Sequence, residues 1–290
     1  MPELPEVEGV VRSLGPAAIG RTVRDVAISD TIIKSKSEAK EAILKNISPE
    51  EFTDRMRGMR ILNVTRRSKY IYFHLEKEGV PALLVSHLGM SGAWFAVADL
   101  EDVTEDKFRR HVHVVLEMED GGLLVFADIR RFGELRLIGR EADHPPLLAM
   151  APEPFDEEAE GHFLELSASR KYRDKPIKET IMDGHVISGC GNIYATEALF
   201  RMGIHPARRT SRISMERRSE LFRAIVEILA EAVEAGGSSI SDYRNINGEA
   251  GAMQDRLQMY GKKKCPACGS PTKRRTIGGR TSVYCPKCQH

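Results

Sequence analysis

Four of the five cysteines, Cys265, Cys268, Cys285 and Cys288, form two Cys-x-x-Cys pairs separated by sixteen residues. Two such knuckles present four thiolates tetrahedrally, the arrangement that Zn2+ accepts at about 2.3 Å per sulfur. Paired disulfides or two redox motifs would use the same residues. A cytosolic chain disfavours the first, and two redox pairs so close together would be unusual. Four sulfurs leave no open coordination position, so one structural zinc is expected. Cys190, between Gly189 and Gly191, reads as a small packed residue.

Charge gathers around the same cysteines. Lys262, Lys263, Lys264, Lys273, Arg274, Arg275, Arg280 and Lys287 lie between Gly261 and His290, with no acid among them. Zinc with four thiolates contributes −2, so the ribbon stays cationic and suits a phosphate backbone. The whole chain balances 43 Lys+Arg against 42 Asp+Glu, which excludes a uniformly basic coat and makes any anion-binding face a matter of placement.

The other end offers a nucleophile. The initiator methionine is normally removed before a residue as small as proline, which would expose Pro2 as a secondary amine. Such an amine attacks an electrophilic carbon and becomes an iminium, a fixed positive charge that draws electrons. An α-amino group titrates near about 7.7–8.0 and needs less tuning than a lysine to do so. Glu3 stands beside it and Glu6 about one helical turn further on, placed for proton delivery.

These groups need a frame. The 290 residues suit about two domains, and 41% hydrophobic residues suffice for a core. No apolar run reaches the ~20 residues that span a bilayer, and the acidic, Pro-rich N-terminus is unlike a secretion signal, so a cytoplasmic protein without a membrane is expected. Residues 3–14 read as a short helix with Pro5 tolerated near its start. Val23–Ile28, Ile61–Arg66, Tyr70–Leu75, Ala82–His87, Val112–Glu117, Leu123–Phe126 and Glu134–Ile138 read as short strands of an antiparallel sandwich, with one helical insert over residues 36–56. A Pro-rich connector, His144 to Pro154, marks a boundary. Helices follow at Pro176–Asp183, Asn192–Met202 and 214–235. The last has Ser214 placed to cap it and Gly236-Gly237 to end it. The first two flank a Gly-rich turn (Gly184, Gly189, Gly191), a helix-turn-helix variant whose backbone can approach a phosphate closely.

The opening Met-Pro-Glu-Leu-Pro-Glu-Val-Glu resembles that of the formamidopyrimidine-DNA glycosylase family of bifunctional base-excision enzymes. Arg66-Arg67-Ser68-Lys69-Tyr70, His87-Leu88-Gly89-Met90-Ser91-Gly92, Asp128-Ile129-Arg130-Arg131-Phe132-Gly133, Gly191-Asn192-Ile193-Tyr194-Ala195 and Gly279-Arg280 ahead of Tyr284-Cys285 repeat its pattern in family order. The resemblance implies an α+β chain: an N-terminal antiparallel β-sandwich with a leading helix (1–142), a hinge (143–155), a helix–two-turn–helix domain (156–260) and a β-hairpin zinc ribbon (261–290). It also implies removal of oxidised purines, 8-oxoguanine and formamidopyrimidines, from damaged double-stranded DNA, followed by β,δ-elimination.

Residue roles follow from the same resemblance. Pro2 is the expected nucleophile and Glu3 the acid/base. Glu6 supports the N-terminus. Lys69, expected on a strand, serves β-elimination or holds a phosphate, and Arg280 serves DNA binding and δ-elimination. Met90, Arg130 and Phe132 match a triad that fills the void left by a flipped nucleotide. Their chemistry suits that role, since a pliable thioether and a flat ring wedge between bases and a guanidinium can pair with the orphaned base. His111, Lys178 and Asn192 are expected to meet phosphates, although His113 lies two residues on along the same strand and face. The aromatic expected in the lesion-capping loop is absent; Ala252 and Met253 stand there instead. The run Arg170–Lys175 departs from the family's Lys-rich one, and an insertion near Ser35–Asp54 has no counterpart. Two other readings compete, an endonuclease VIII-type enzyme for oxidised pyrimidines and a non-catalytic zinc-ribbon DNA-binding protein. Arg130-Arg131-Phe132 and Leu4 favour the purine type over the first, and a binder needs no imine-forming Pro2.

Overall fold

A helix capped by its own acid opens the chain. In the computed structural model, which describes residues 2–40, 42–238 and 251–290, helix α1 spans Leu4–Ala18. The carboxylate of Glu6, at N3, accepts the backbone N–H of the N-cap residue Glu3 at 2.7 Å. Leu4, Val7, Val10, Leu14 and Ala18 recur at helical spacing and are fully buried. The helix thus outlasts its expected end and carries Pro16 in its last turn.

Two sheets follow. One holds β3 (Arg60–Arg67), β4 (Tyr70–Lys77), β5 (Val80–His87), β9 (Glu134–Ile138) and the two-residue β2 (Ile43–Leu44), in the order β2-β9-β5-β4-β3. The other holds β1 (Val23–Ile28), β6 (Gly92–Val97), β7 (Val112–Met118) and β8 (Leu123–Asp128), in the order β1-β7-β8-β6. Among the described residues, all ladders of these sheets are antiparallel except β2 with β9. Phe73 and Leu84 of the first sheet, Trp94, Leu116 and Phe126 of the second, and α1 share one core. Trp94 is its centre, with ring centroids 5.0 Å from Phe73 and 5.2 Å from Phe126. Its indole N–H donates to Ser86 Oγ at 3.0 Å, tying β6 to β5. The far face of the second sheet is also covered: Phe95, Val115, Val125 and Ala127 pack with Phe108 of the short helix α4 (Asp106–Arg109). Strand β6 is an addition to the expected set. Burial on both faces hides it, since Gly-Ala-Trp-Phe-Ala-Val shows no alternation.

Three local expectations are corrected. The single insert expected over residues 36–56 is α2 (Asp30–Ser37), then β2, then α3 (Pro49–Met56), which starts on a Ser48 cap. Lys69 does not lie on a strand. Arg67 pairs with Tyr70, which leaves Ser68 and Lys69 as the two-residue turn between β3 and β4, with Ser68 at a left-handed φ of 55°. His111 lies just ahead of β7, its N–H closing a turn on Phe108 O at 2.8 Å. A register shift between Val112 and Val114 breaks the alternation that would have set His111 and His113 on one face.

The chain divides into two compact units, Met1–Leu148 with Gly236–Ala252, and Ala149–Ala235 with Met253–His290. The first break falls within the expected hinge, where α5 (Pro145–Leu148) lies. The described residues just past the last long helix group with the sandwich, not with the helices. The second unit carries α6 (Ala159–Ala168), a helix beyond those expected. It also carries α7 (Ile177–Met182), α8 (Asn192–Arg201) and the amphipathic α9 (Met215–Glu234). Ser214 caps α9 by accepting Arg217 N–H at 3.2 Å, and Gly236 and Gly237 follow its end at φ 73° and 78°. A hairpin of β10 (Lys273–Ile277) and β11 (Arg280–Tyr284) ends the unit.

Trp94 is the only tryptophan and the pivot between the sheets. Trp94→Ala is expected to lower unfolding stability by about 3–5 kcal/mol, read by circular dichroism in urea. A loss below about 1 kcal/mol would show that the core closes over the gap.

Candidate active site and nucleic-acid interface

In the first unit the N-terminal residues are enclosed. Pro2, Glu3 and Glu6 are buried. Glu6 is held from two directions. One carboxylate oxygen accepts Glu3 N–H, and the other accepts Ser238 N–H at 2.7 Å and Ser238 Oγ at 3.2 Å. Gly237 allows this approach, because a Cβ there would lie 3.0 Å from Glu6 Oε1. Pro2 and Glu3 are thereby fixed relative to a segment more than two hundred residues away. Gly251 packs against the same turn, where a Cβ would meet Gly237 O at 2.1 Å. Of the expected lesion-capping loop, residues 248–250 lie outside the described residues; Met253 is buried.

The turn carrying Lys69 is braced against α1. Arg66 donates to Glu8 Oε2 at 2.8 Å and to Ser68 O at 3.1 Å. Its side chain is only 9% exposed, so water screens this pair less than a surface one. His87, which the sequence placed in a family-like motif without a role, stands beside the turn with its ring 4.9 Å from that of Tyr70. Burial, with a smaller push from the Lys69 ammonium, lowers its pKa to about 4, so the imidazole is neutral near neutral pH. Its Nδ1 accepts Gly89 N–H at 3.1 Å, which leaves the proton on Nε2.

Met90, Arg130 and Phe132 occupy two loops of this unit. Phe132 is 57% exposed, a large exposure for an aromatic ring, and the Arg130 guanidinium lies 4.9 Å from its centroid. Neither Arg130 nor Phe132 is a core residue. His111 is half-buried, with Nδ1 at 2.7 Å from Lys107 O.

The second unit assembles the remaining residues. Lys178, on α7, is fully buried and donates to Thr196 Oγ1 at 2.7 Å; Thr196 in turn donates to Asn192 O at 2.6 Å. Asn192 opens α8 just after the Gly-rich turn, and its amide donates to Thr281 O at 3.2 Å. That carbonyl is next to Arg280, which begins β11 and is exposed. A polar chain therefore runs from α7 through α8 to the hairpin. Glu197, not singled out in the sequence, secures the approach to the hairpin by accepting the N–H groups of Gln258, Met259 and Tyr260 at 2.7, 2.9 and 2.6 Å. The sequence signal for it is an acid flanked by the apolar Ala195, Ala198 and Leu199 of its helix.

Cys265, Cys268, Cys285 and Cys288 bring their sulfurs within 4.8 Å of one another. The separations of 3.8 Å for Cys265–Cys288 and 3.5 Å for Cys268–Cys285 fit the ~3.8 Å edge of a tetrahedron with Zn–S bonds of about 2.3 Å. The donor set is that of a structural zinc.

Comparisons with known proteins agree with this geometry. Family models match along the chain: the formamidopyrimidine-DNA glycosylase N-terminal domain over residues 1–135, the H2TH domain of the same enzymes over 150–244, and the zinc finger found in FPG and IleRS over 262–290. A formamidopyrimidine-DNA glycosylase of Cereibacter sphaeroides is 40% identical over 299 residues, covering 100% of both chains. Two structures of the Lactococcus lactis enzyme superpose with a TM-score of 0.82 at 31% identity over 99% of both chains. One is a point mutant in complex with Fapy-dG-containing DNA, the other the wild type with DNA containing an oxidised pyrimidine. Fold and site together define a DNA-repair glycosylase with a zinc finger. The chain belongs to the formamidopyrimidine-DNA glycosylase family; it is a base-excision enzyme combining glycosylase and AP-lyase activities, with one structural zinc.

Two measurements test the site. Elemental analysis should find one zinc per chain; its removal by a thiol reagent should weaken DNA binding while Trp94 fluorescence, which reports the sandwich, holds its folded value. Unchanged affinity would disprove the role of the ribbon. The depressed His87 pKa means that the unfolded chain binds a proton the native one refuses. Stability should therefore be full above about pH 6.5 and fall as pH drops toward about 4. Urea titrations of His87→Gln should show a shallower acid slope than the parent protein; coincident slopes would exclude His87 as the titrating group.

Proposed function

We propose that Pro2, freed of its initiator methionine, is the nucleophile of this enzyme and that its preferred substrates are oxidised purines in double-stranded DNA. The observation that carries this reading is the burial of Pro2 and Glu3 at a helix start that Glu6 holds in place. A terminal amine loose in solvent would lose orientational entropy at each encounter; a clamped one has already lost it.

The steps follow from the groups present. The Pro2 nitrogen attacks C1′ of the damaged nucleotide and the base departs. Glu3, adjacent in the chain, delivers the proton that opens the deoxyribose. The resulting iminium acidifies the C2′ hydrogens; loss of one expels the 3′ phosphate, and a second elimination releases the 5′ phosphate. Lys69, on a turn braced to α1, and Arg280, at the start of β11, supply cations for the phosphates that carry the departing charge. Met90, Arg130 and Phe132 fill the stack vacated by the flipped nucleotide. Asn192 and His111 meet the backbone; Lys178, also expected at a phosphate, is fully buried against Thr196 and acts through Asn192. By role, residues 1–142 are the catalytic region, 143–155 the hinge, 156–260 the DNA-binding region, although its described residues just past α9 group with the sandwich, and 261–290 the zinc ribbon. The protein works as a single chain on nucleoid DNA in the cytoplasm.

Borohydride added to the protein with an 8-oxoguanine duplex should yield a covalent adduct. Pro2→Gly, which keeps an amine but loses the ring, should cut trapping by about ten- to a hundredfold, and a retained Met1 should abolish it. A parent protein lacking Met1 that traps nothing would end the reading. Faster excision of thymine glycol than of 8-oxoguanine would favour the pyrimidine-type alternative.

A further inference from the structure

Asp128 is fully buried at the end of β8, and the mechanism above leaves it without a role. Its carboxylate joins the two loops that carry Met90, Arg130 and Phe132. Oδ1 accepts Ser91 Oγ at 2.7 Å and Arg130 N–H at 3.1 Å; Oδ2 accepts Gly133 N–H at 2.7 Å. Ser91 Oγ also accepts Arg130 N–H, at 2.9 Å. The two oxygens thus close the Arg130–Gly133 loop on itself and fasten it to the residue after Met90. The intervening Arg131 holds a left-handed φ of 57°, uncommon for a side chain of its size. The loops also touch directly. A Cβ on Gly89 would meet the carbonyl carbon of Phe132 at 2.5 Å, and one on Gly133 would lie 3.0 Å from Asp128 Oδ2. Around this anchor the strand end is fixed as well: Asp128 N–H donates to His111 O at 2.9 Å, and its carbonyl lies 3.1 Å from His113 Nε2.

We propose that Asp128 is a positioning residue for base extrusion, making the Met90 and Arg130–Phe132 loops a single rigid wedge by bonding to both. The inference rests on the void-filling role given to those three residues. Inserting side chains into a base stack meets opposition from stacking energy, and a wedge on independently mobile loops would yield instead of the stack. A carboxylate suits this position because each of its oxygens accepts, and bonds to it are stronger than those to a neutral amide.

Asp128→Asn keeps the size but replaces one acceptor with a donor, so either Gly133 N–H or Arg130 N–H loses its bond to this side chain. In single turnovers with saturating enzyme, excision of 8-oxoguanine from duplex DNA should slow about ten- to a hundredfold. Borohydride trapping on a single-stranded abasic oligonucleotide, where there is no stack to enter, should stay within about twofold of the parent protein. Ser91→Ala, which leaves the carboxylate intact, should show the same split at smaller amplitude. Equal losses on both substrates would make Asp128 a residue of the chemistry or of the fold, and no loss on the duplex would leave the wedge independent of it; either result overturns the proposal. Failure of the underlying enzyme reading is distinguished separately, by a parent protein that forms no adduct on either DNA.

Discussion

The buried carboxylate of Glu6 is the constraint on which the rest of the first unit depends. Taking a carboxylate out of water costs several kcal/mol unless strong donors replace the lost hydration. Here three donors do so, from Glu3 and from Ser238. Chain termini ordinarily fray because nothing offsets the entropy of fixing them. In this chain the apolar stripe of α1 sets where the helix lies on the sandwich, and Glu6 sets where its first residues lie on the helix. The first residues of the chain thereby gain the order of a strand.

The same device recurs. Asp128 accepts backbone N–H groups of Arg130 and Gly133, and Glu197 those of Gln258, Met259 and Tyr260. In each case a buried acid gathers N–H groups of an irregular segment, which has no ladder to satisfy them. The segments so held are those to which the proposed function assigns chemistry or contact: the N-terminus, the loops with Met90 and Phe132, and the approach to the hairpin with Arg280. Zinc serves the hairpin in the same sense, because its short strands have too small a core to hold themselves. Irregular backbone is thus stiffened where it works, with acids fixing the loops and metal fixing the ribbon.

Each unit combines an apolar core with polar contacts between its elements. The sandwich buries both faces of its second sheet and centres on Trp94, so its loops project from a stiff frame. The helical unit has an apolar core of its own, in which Phe163 and Phe222 stack with ring centroids 5.5 Å apart, and side-chain bonds also join its elements: Lys178 to Thr196, Asn192 to the hairpin, and Gln289, whose side chain reaches Ile204 O at 2.9 Å.

Much was legible in the residues alone. The spacing of the cysteines set the metal and its geometry, since four sulfurs around one ion require little else. Period-2 and period-3.6 patterns located β1 and β9 to the residue and α9 to within one. The types at Pro2, Glu3, Arg130 and Phe132 set the chemistry available. Tertiary structure alone decided the rest. Lys69 belongs to a turn and not to a strand because pairing register, a property of two strands together, left two residues over. Strand β6 stays hidden in the sequence because burial on both faces erases alternation. Glu6 was legible as a support of the N-terminus, but its grip on Ser238 was not, and Asp128 and Glu197 emerged as anchors only once folded, because what they grip is largely backbone N–H, which every residue but proline carries.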